Sequence, residues 1–132
     1  MKVRYASTSL QEEEIDQLID YMYTDIFPRY FSEDEVEYFR KMKVLHTPSR
    51  HHDYTGTLKD AFEILSSLQL IIALIEANEK QALGERYKKI FERNVQILQQ
   101  YHLHFPFTLD QFERPKKYVI STYTPVTNEL LV

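Results

Sequence analysis

Five histidines fall in two short stretches of the chain: His46, His51 and His52 in one, His102 and His104 in the other. Neutral imidazoles beside Asp53 have the donor set for zinc, iron or nickel. His102 and His104, two apart on an extended segment, would face the same way. Arg50, next to His51 and His52, could add charge-assisted hydrogen bonds to an anion. Were both stretches to meet at one end of a bundle, His46, Arg50, His51, His52, Asp53, His102 and His104 would form one metal or anion site. The spacing opposes this, because the chain has no His-Glu-x-x-His run and no Glu-x-x-His pair of the di-iron bundles. No metal and no cofactor is therefore expected. The plainer reading is that these are loop and helix-end histidines, some stacked on Tyr or Phe.

Nucleophilic chemistry has still less support. The chain has no Cys, which removes thiolate nucleophiles, disulfides, thiolate zinc sites and iron–sulfur clusters together. Ser66 and Ser67 sit inside a helical pattern, and no Gly-x-Ser-x-Gly elbow or glycine-rich phosphate loop exists among the two glycines, Gly56 and Gly84. Glu12, Asp16 and Asp20 are four apart, but the apolar stripe of their helix lies elsewhere on the cylinder, so a solvated acidic face is expected.

The aromatic content asks for more explanation. Of 10 Tyr and 8 Phe, seven rings fall within nineteen residues: Tyr21, Tyr23, Phe27, Tyr30, Phe31, Tyr38 and Phe39. Such rings bury a large flat area at low entropic cost and suit both cores and interfaces. Tyr23, Phe27, Tyr30 and Phe31, with Arg29 among them, are the expected interaction surface. Arg29 would cross that interface or pair with Asp25.

Charge is uneven. Residues 1–40 hold 10 acids against 4 bases and residues 41–132 hold 10 against 12, for a net charge of −4. The bases come as scattered pairs such as Lys88 and Lys89, not as the dense face that displaces counterions from phosphates, so nucleic acid is not an expected partner. The most apolar uncharged stretch, Ile64–Ile75, is shorter than the ~20 residues of a bilayer span, and no membrane association is expected. The N-terminus turns acidic at Glu12–Glu14 without an apolar signal core, which points to a cytoplasmic protein.

The elements that must position these residues are mostly helical, since two glycines cannot serve the frequent turns of a sandwich or barrel. Residues 2–6 alternate polar and apolar and are expected to form a short strand. Ser9 with Glu12 reads as a capping box opening a helix whose stripe is Ile15, Leu18, Ile19, Met22 and Ile26, ending near Pro28. Ser32 with Glu35 repeats the box for a shorter helix carrying Val36 and Phe39. Residues 46–56 have no apolar period and read as a long loop. Thr57 would cap a central helix through about Ala77. A further helix after Asn78, carrying Leu83, Tyr87, Ile90, Phe91, Asn94, Leu98 and Tyr101, would pack antiparallel to it. Residues 118–124 are β-branched and aromatic, and could pair with residues 2–6. The apolar tail Pro125–Val132 would dock on the body or on a partner.

Four segments carry a family likeness: Met1–Ser7, Phe27-Pro28-Arg29-Tyr30-Phe31, Lys43–Thr47, and Gly56-Thr57-Leu58-Lys59 with its following helix. Together they resemble the YhcU-type family of small, functionally uncharacterised bacterial proteins over nearly the full chain. The resemblance implies a cytoplasmic bacterial protein and transfers no catalytic or binding residue.

The expected architecture is thus α+β, mostly α: one domain over residues 1–132, an antiparallel bundle of about four helices, and a small sheet from the chain ends. The expected function is a non-enzymatic interaction or assembly protein that forms a homo-oligomer or binds a protein partner. The alternative is a small metal- or anion-dependent enzyme using the histidines.

Overall fold

The structure, a computed structural model, describes residues 2–46, 58–113 and 115. Helix α1 spans Lys2–Tyr21, a π turn follows at Met22–Ile26, and a single turn, α2, covers Phe27–Tyr30. Helix α3 is Glu33–Lys41, α4 is Leu58–Lys80, α5 is Glu85–Gln100, and a final 3-10 turn lies at Leu109–Phe112.

Helix α4 is the axis of the molecule. Its uncharged middle supplies Ile64, Leu65, Leu68, Ile71, Ile72, Leu74 and Ile75 to the core. Helices α1 and α5 both pack against it. The hairpin between α4 and α5 is antiparallel, because the Tyr101 hydroxyl just beyond α5 reaches Asp60 (3.2 Å) and Glu63 near the start of α4. The C-terminal end of α1 lies by the C-terminal end of α4, where the Tyr21 hydroxyl donates to Glu76.

The sheet expected from the chain ends is not present among the described residues, all of whose regular elements are helical. Residues 2–6 begin α1 instead of a strand. A strand needs a ladder partner, whereas an adjoining helix propagates at one hydrogen bond per residue fixed, and Lys, Arg and Ala favour it. Ser9 is consequently inside α1 and not its cap. The other half of the expected sheet, residues 118–124, lies outside the described residues. So do the Thr57 cap and the tail from Pro125 to Val132.

The expected stripe of α1 is present: Ile15, Met22 and Ile26 are fully buried, with Leu18 and Ile19 packed beside them. The helix does not stop at Pro28. At the π turn, Phe27 N–H donates to Met22 O, an i→i+5 bond that shifts the frame so that Met22, Tyr23, Ile26 and Phe27 all face inward. Pro28 then falls in the first turn of α2, where its missing N–H is tolerated. The Ser32–Glu35 capping box opens α3 with both reciprocal bonds made, at 3.2 and 2.8 Å.

Helices α3 and α5 end in the same way. Lys43 N–H donates to Arg40 O (3.1 Å) and Val44 N–H to Phe39 O (3.0 Å). His102 N–H donates to Gln99 O (2.9 Å) and Leu103 N–H to Leu98 O (3.0 Å). Both are Schellman caps, with Lys43 (φ 62°) and His102 (φ 64°) in the left-handed position that glycine usually takes. Each cap turns an apolar residue, Val44 or Leu103, into the core.

The segment after α5 is extended, and burial alternates along it. Leu103, Phe105, Phe107 and Leu109 are buried while His102, His104, Pro106 and Thr108 are exposed. Its inward rings meet those from α2 and α3, with Phe27–Phe107 centroids 5.5 Å apart and Phe39–Phe107 5.1 Å apart. Asn78 ties this segment down. Its Nδ2 donates to Leu109 O (3.4 Å) and Phe112 O (3.2 Å), and its Oδ1 accepts from Leu83 N–H (2.7 Å).

Candidate functional site

Three places merit a site description: the aromatic segment, the histidine corner and the outer face of α4. Tyr23, Phe27 and Tyr30 are buried, Phe31 is half-buried, and all belong to or pack on the core. Phe27 contacts four other phenylalanine rings, those of Phe31, Phe39, Phe105 and Phe107, at centroid separations of 5.3–6.5 Å. The extended segment, distant in sequence, supplies the partners that the early rings would otherwise have sought on another molecule. Arg29 pairs with Glu79 and not with Asp25: its Nη1 donates to both Glu79 oxygens at 2.9 and 3.1 Å. These residues therefore hold α2 onto α4 and offer little open surface.

The hydroxyls of Tyr21, Tyr23, Tyr30 and Tyr101 each reach an acceptor within the fold. Tyr23 donates to Val44 O at 2.7 Å while the Arg40 guanidinium lies 4.4 Å above its ring. Burial pushes the Tyr23 phenol up to about 12 against a smaller opposing pull from Arg40. Tyr30 is raised by burial and then by the Glu79 carboxylate that accepts its hydrogen bond. Tyr21 and Tyr101 are raised by burial and then by Glu76 and Glu63 respectively. Such protonated phenols act as fixed donors at neutral pH.

Part of the histidine set is brought together. Leu45 N–H donates to His104 O at 2.7 Å, which puts His46 and His104 at one corner, beside the Schellman turn that contains His102. All three histidines are exposed there. Among the described residues no three His, Asp, Glu or Cys side chains are grouped to hold a metal. Arg50, His51, His52 and Asp53 lie outside the described residues.

What the sequence reading missed is the outer face of α4. The exposed residues between Phe62 and Ala77 are Phe62, Ser66, Gln69, Leu70, Ala73 and Ala77, and none is charged. The exposed faces of α3 and α5, in contrast, carry Glu33, Asp34, Glu37 and Lys41, and Arg86, Lys89, Glu92 and Arg93. All eight phenylalanines are described; seven join one network of ring contacts, and Phe62, 47% exposed, has no ring partner among the described residues. At the far end of the same face lies an open groove of about 740 Å³, between α4 and the start of α5, lined by Ala73, Ala77, Leu83, Gly84 and Tyr87 with the charged Glu76 and Lys80 among others. The signal was present in the charge-free run from Ile64 to Ile75. Within that run Ser66, Gln69, Leu70 and Ala73 point outward.

A helical fold centred on α4, with a ring-rich core, defines the class: a small, mostly α-helical protein. The chain belongs to the family of unknown function DUF5365, whose model matches residues 1–117. It is similar to the uncharacterised protein YhcU of Bacillus subtilis (strain 168), with 36% identity over 115 residues, covering 86% of this chain and 85% of that protein. No solved structure matches the chain. Among the described residues, no helix is long and apolar enough to cross a membrane.

Proposed function

We propose that this chain is a non-enzymatic interaction protein of the cytoplasm, folded as one domain, that self-associates. Its contact surface is the outer face of α4 and not the Tyr23–Phe31 segment, whose rings are committed to the core. The observation that carries this reading is the uncharged exposed row from Phe62 to Ala77, with Phe62 47% and Leu70 39% exposed. An apolar stretch on a surface otherwise rich in charge loses little by leaving water. The test is molar mass by light scattering across a hundredfold range of concentration. A mass that rises from one chain to two supports self-association, and a constant mass of one chain refutes it.

A second reading, a metal- or anion-dependent enzyme at the histidine corner, is favoured by one contact. The Leu45–His104 bond brings His46 and His104 to the place where residues 47–57 begin. Elemental analysis of untagged protein separates the two readings.

A further inference from the structure

We propose that one flank of α5 is a binding site for a small soluble polyphosphate, whose di- or triphosphate group is held by Arg86, Lys89 and Arg93. The site lies away from the outer face of α4 and stands whether or not the chain self-associates.

Along the sequence the bases of α5 come as scattered pairs, and the helix sorts them. At about 100° per residue, Arg86, Lys89 and Arg93 fall within an arc of about 60° and within about 10 Å along the axis. Lys88 turns to the other flank, where its Nζ pairs with Asp110 at 2.7 Å. The three cations line one groove of about 560 Å³ together with Glu85 and the half-buried Ile90. All three are exposed, and none has an ion pair or hydrogen bond among the described residues. Like charges three and four positions apart repel and oppose their own helix. The chain holds 20 acids against 16 bases, yet only Glu85 shares this groove with the three cations. An uncompensated positive stripe on a chain of net charge −4 is complementary to an anion from outside.

The residue types define that anion. The planar forks of Arg86 and Arg93 match phosphate oxygens in pairs, and Lys89 adds a point charge. Three cations beside one carboxylate leave an excess of two positive charges, which a single carboxylate ligand does not balance and a compact di- or triphosphate does. The groove is within the roughly 300–1,000 Å³ of small-molecule sites, and Ile90 gives the organic part of the ligand an apolar surface. Glu85 and Glu92 border the stripe on its Lys89 side and keep the ligand compact. A membrane surface or a nucleic acid laid across α5 would bring its phosphates against both carboxylates.

Isothermal titration of the full chain with sodium pyrophosphate at low ionic strength tests the site. One pyrophosphate should bind per chain, with an affinity that falls as sodium chloride is added, because salt screens exposed charges. The double variant Arg86→Gln with Arg93→Gln should weaken binding at least tenfold at unchanged helical content, since both side chains are exposed. Lys41→Gln, which removes an exposed cation of α3, should bind as wild type, and so should Arg50→Gln, which removes the cation beside His51 and His52. No saturable binding of pyrophosphate overturns the proposal. So does binding that the double variant leaves intact or that Arg50→Gln abolishes. Co-sedimentation with phosphatidylserine vesicles that needs Arg86 and Arg93, in protein that does not bind pyrophosphate, overturns it in favour of a membrane surface.

Discussion

Asn78 gives the sharpest test of the fold. It is a buried amide at the junction of α4, the α5 linker and the last 3-10 turn, and it makes three side-chain hydrogen bonds to the backbone. Replacing it with Ala removes all three and leaves two carbonyls and the Leu83 N–H without their partner. At about 1 kcal/mol net for each bond, the loss is about 3 kcal/mol. Unfolding entropy near 2.1 cal/mol/K per residue gives about 280 cal/mol/K for 132 residues, so Tm should fall by about 11 °C. Thermal unfolding followed by circular dichroism, with urea titration for the free energy, measures both. Asn78→Asp keeps the acceptor for Leu83 N–H but turns a carboxyl toward the Leu109 and Phe112 carbonyls. Its folded pKa must then lie above the unfolded value of ~3.9. The protonated acid can still donate, so this variant should be least destabilised near pH 4 and lose stability as pH rises toward 7. An Asn78→Ala protein melting within 3 °C of wild type, or an Asp variant indifferent to pH, would refute the idea that this side chain clamps the C-terminal segment.

Other expectations follow from the same contacts. Tyr21, Tyr23, Tyr30 and Tyr101 have folded pKa values above the unfolded value near 10, so their contribution is intact below pH 10 and is lost as pH rises toward about 12 for Tyr23. Phenolate absorbance should therefore show a late-titrating group whose ionisation coincides with loss of helical signal; ten tyrosines titrating together near pH 10 in folded protein would contradict the hydroxyl contacts. His102→Gly and Lys43→Gly should each stabilise by up to about 1 kcal/mol, because glycine relieves the left-handed strain at the two Schellman turns and returns only part of that gain through unfolded-chain entropy. A lower Tm for both variants would argue against those turns. Untagged protein should hold far less than one equivalent of metal by elemental analysis; close to one per chain would move the function to the histidine corner, and His104→Ala should then release it.

Several features were legible in the residues because their causes are local. The apolar period of α1, the Ser32–Glu35 box and the long apolar repeat of α4 each depend on side chains three or four positions apart, which pattern reading sees directly. The two helix ends were not legible, since Lys43 and His102 occupy a place usually signalled by Gly or Asn. The strand expected at residues 2–6 was misread because alternation over five residues is weak evidence beside a helix ready to extend into it. Arg29 was expected to cross an interface or to pair with the nearby Asp25, but its partner Glu79 is fifty positions away and no short-range pattern points to it. The outer face of α4 was hidden by its own composition: a run with no charge reads as buried all round until the neighbours on each side are known.

What the sequence determined by itself was chemistry by exclusion and helices by period. Without Cys, thiolate chemistry and disulfides are excluded, and a mostly helical chain follows from the scarcity of glycine and the repeat of apolar positions. Tertiary structure alone decided what the aromatic residues are for. Phe105, Phe107 and Phe112 arrive from the far end of the chain and enclose Phe27 and Phe31, turning an apparent interface into a core. It also decided which apolar residues remain outside, because exposure depends on the arrangement of α1, α4 and α5 in space. Burial belongs to the packed assembly of elements, and a single residue's type cannot specify it.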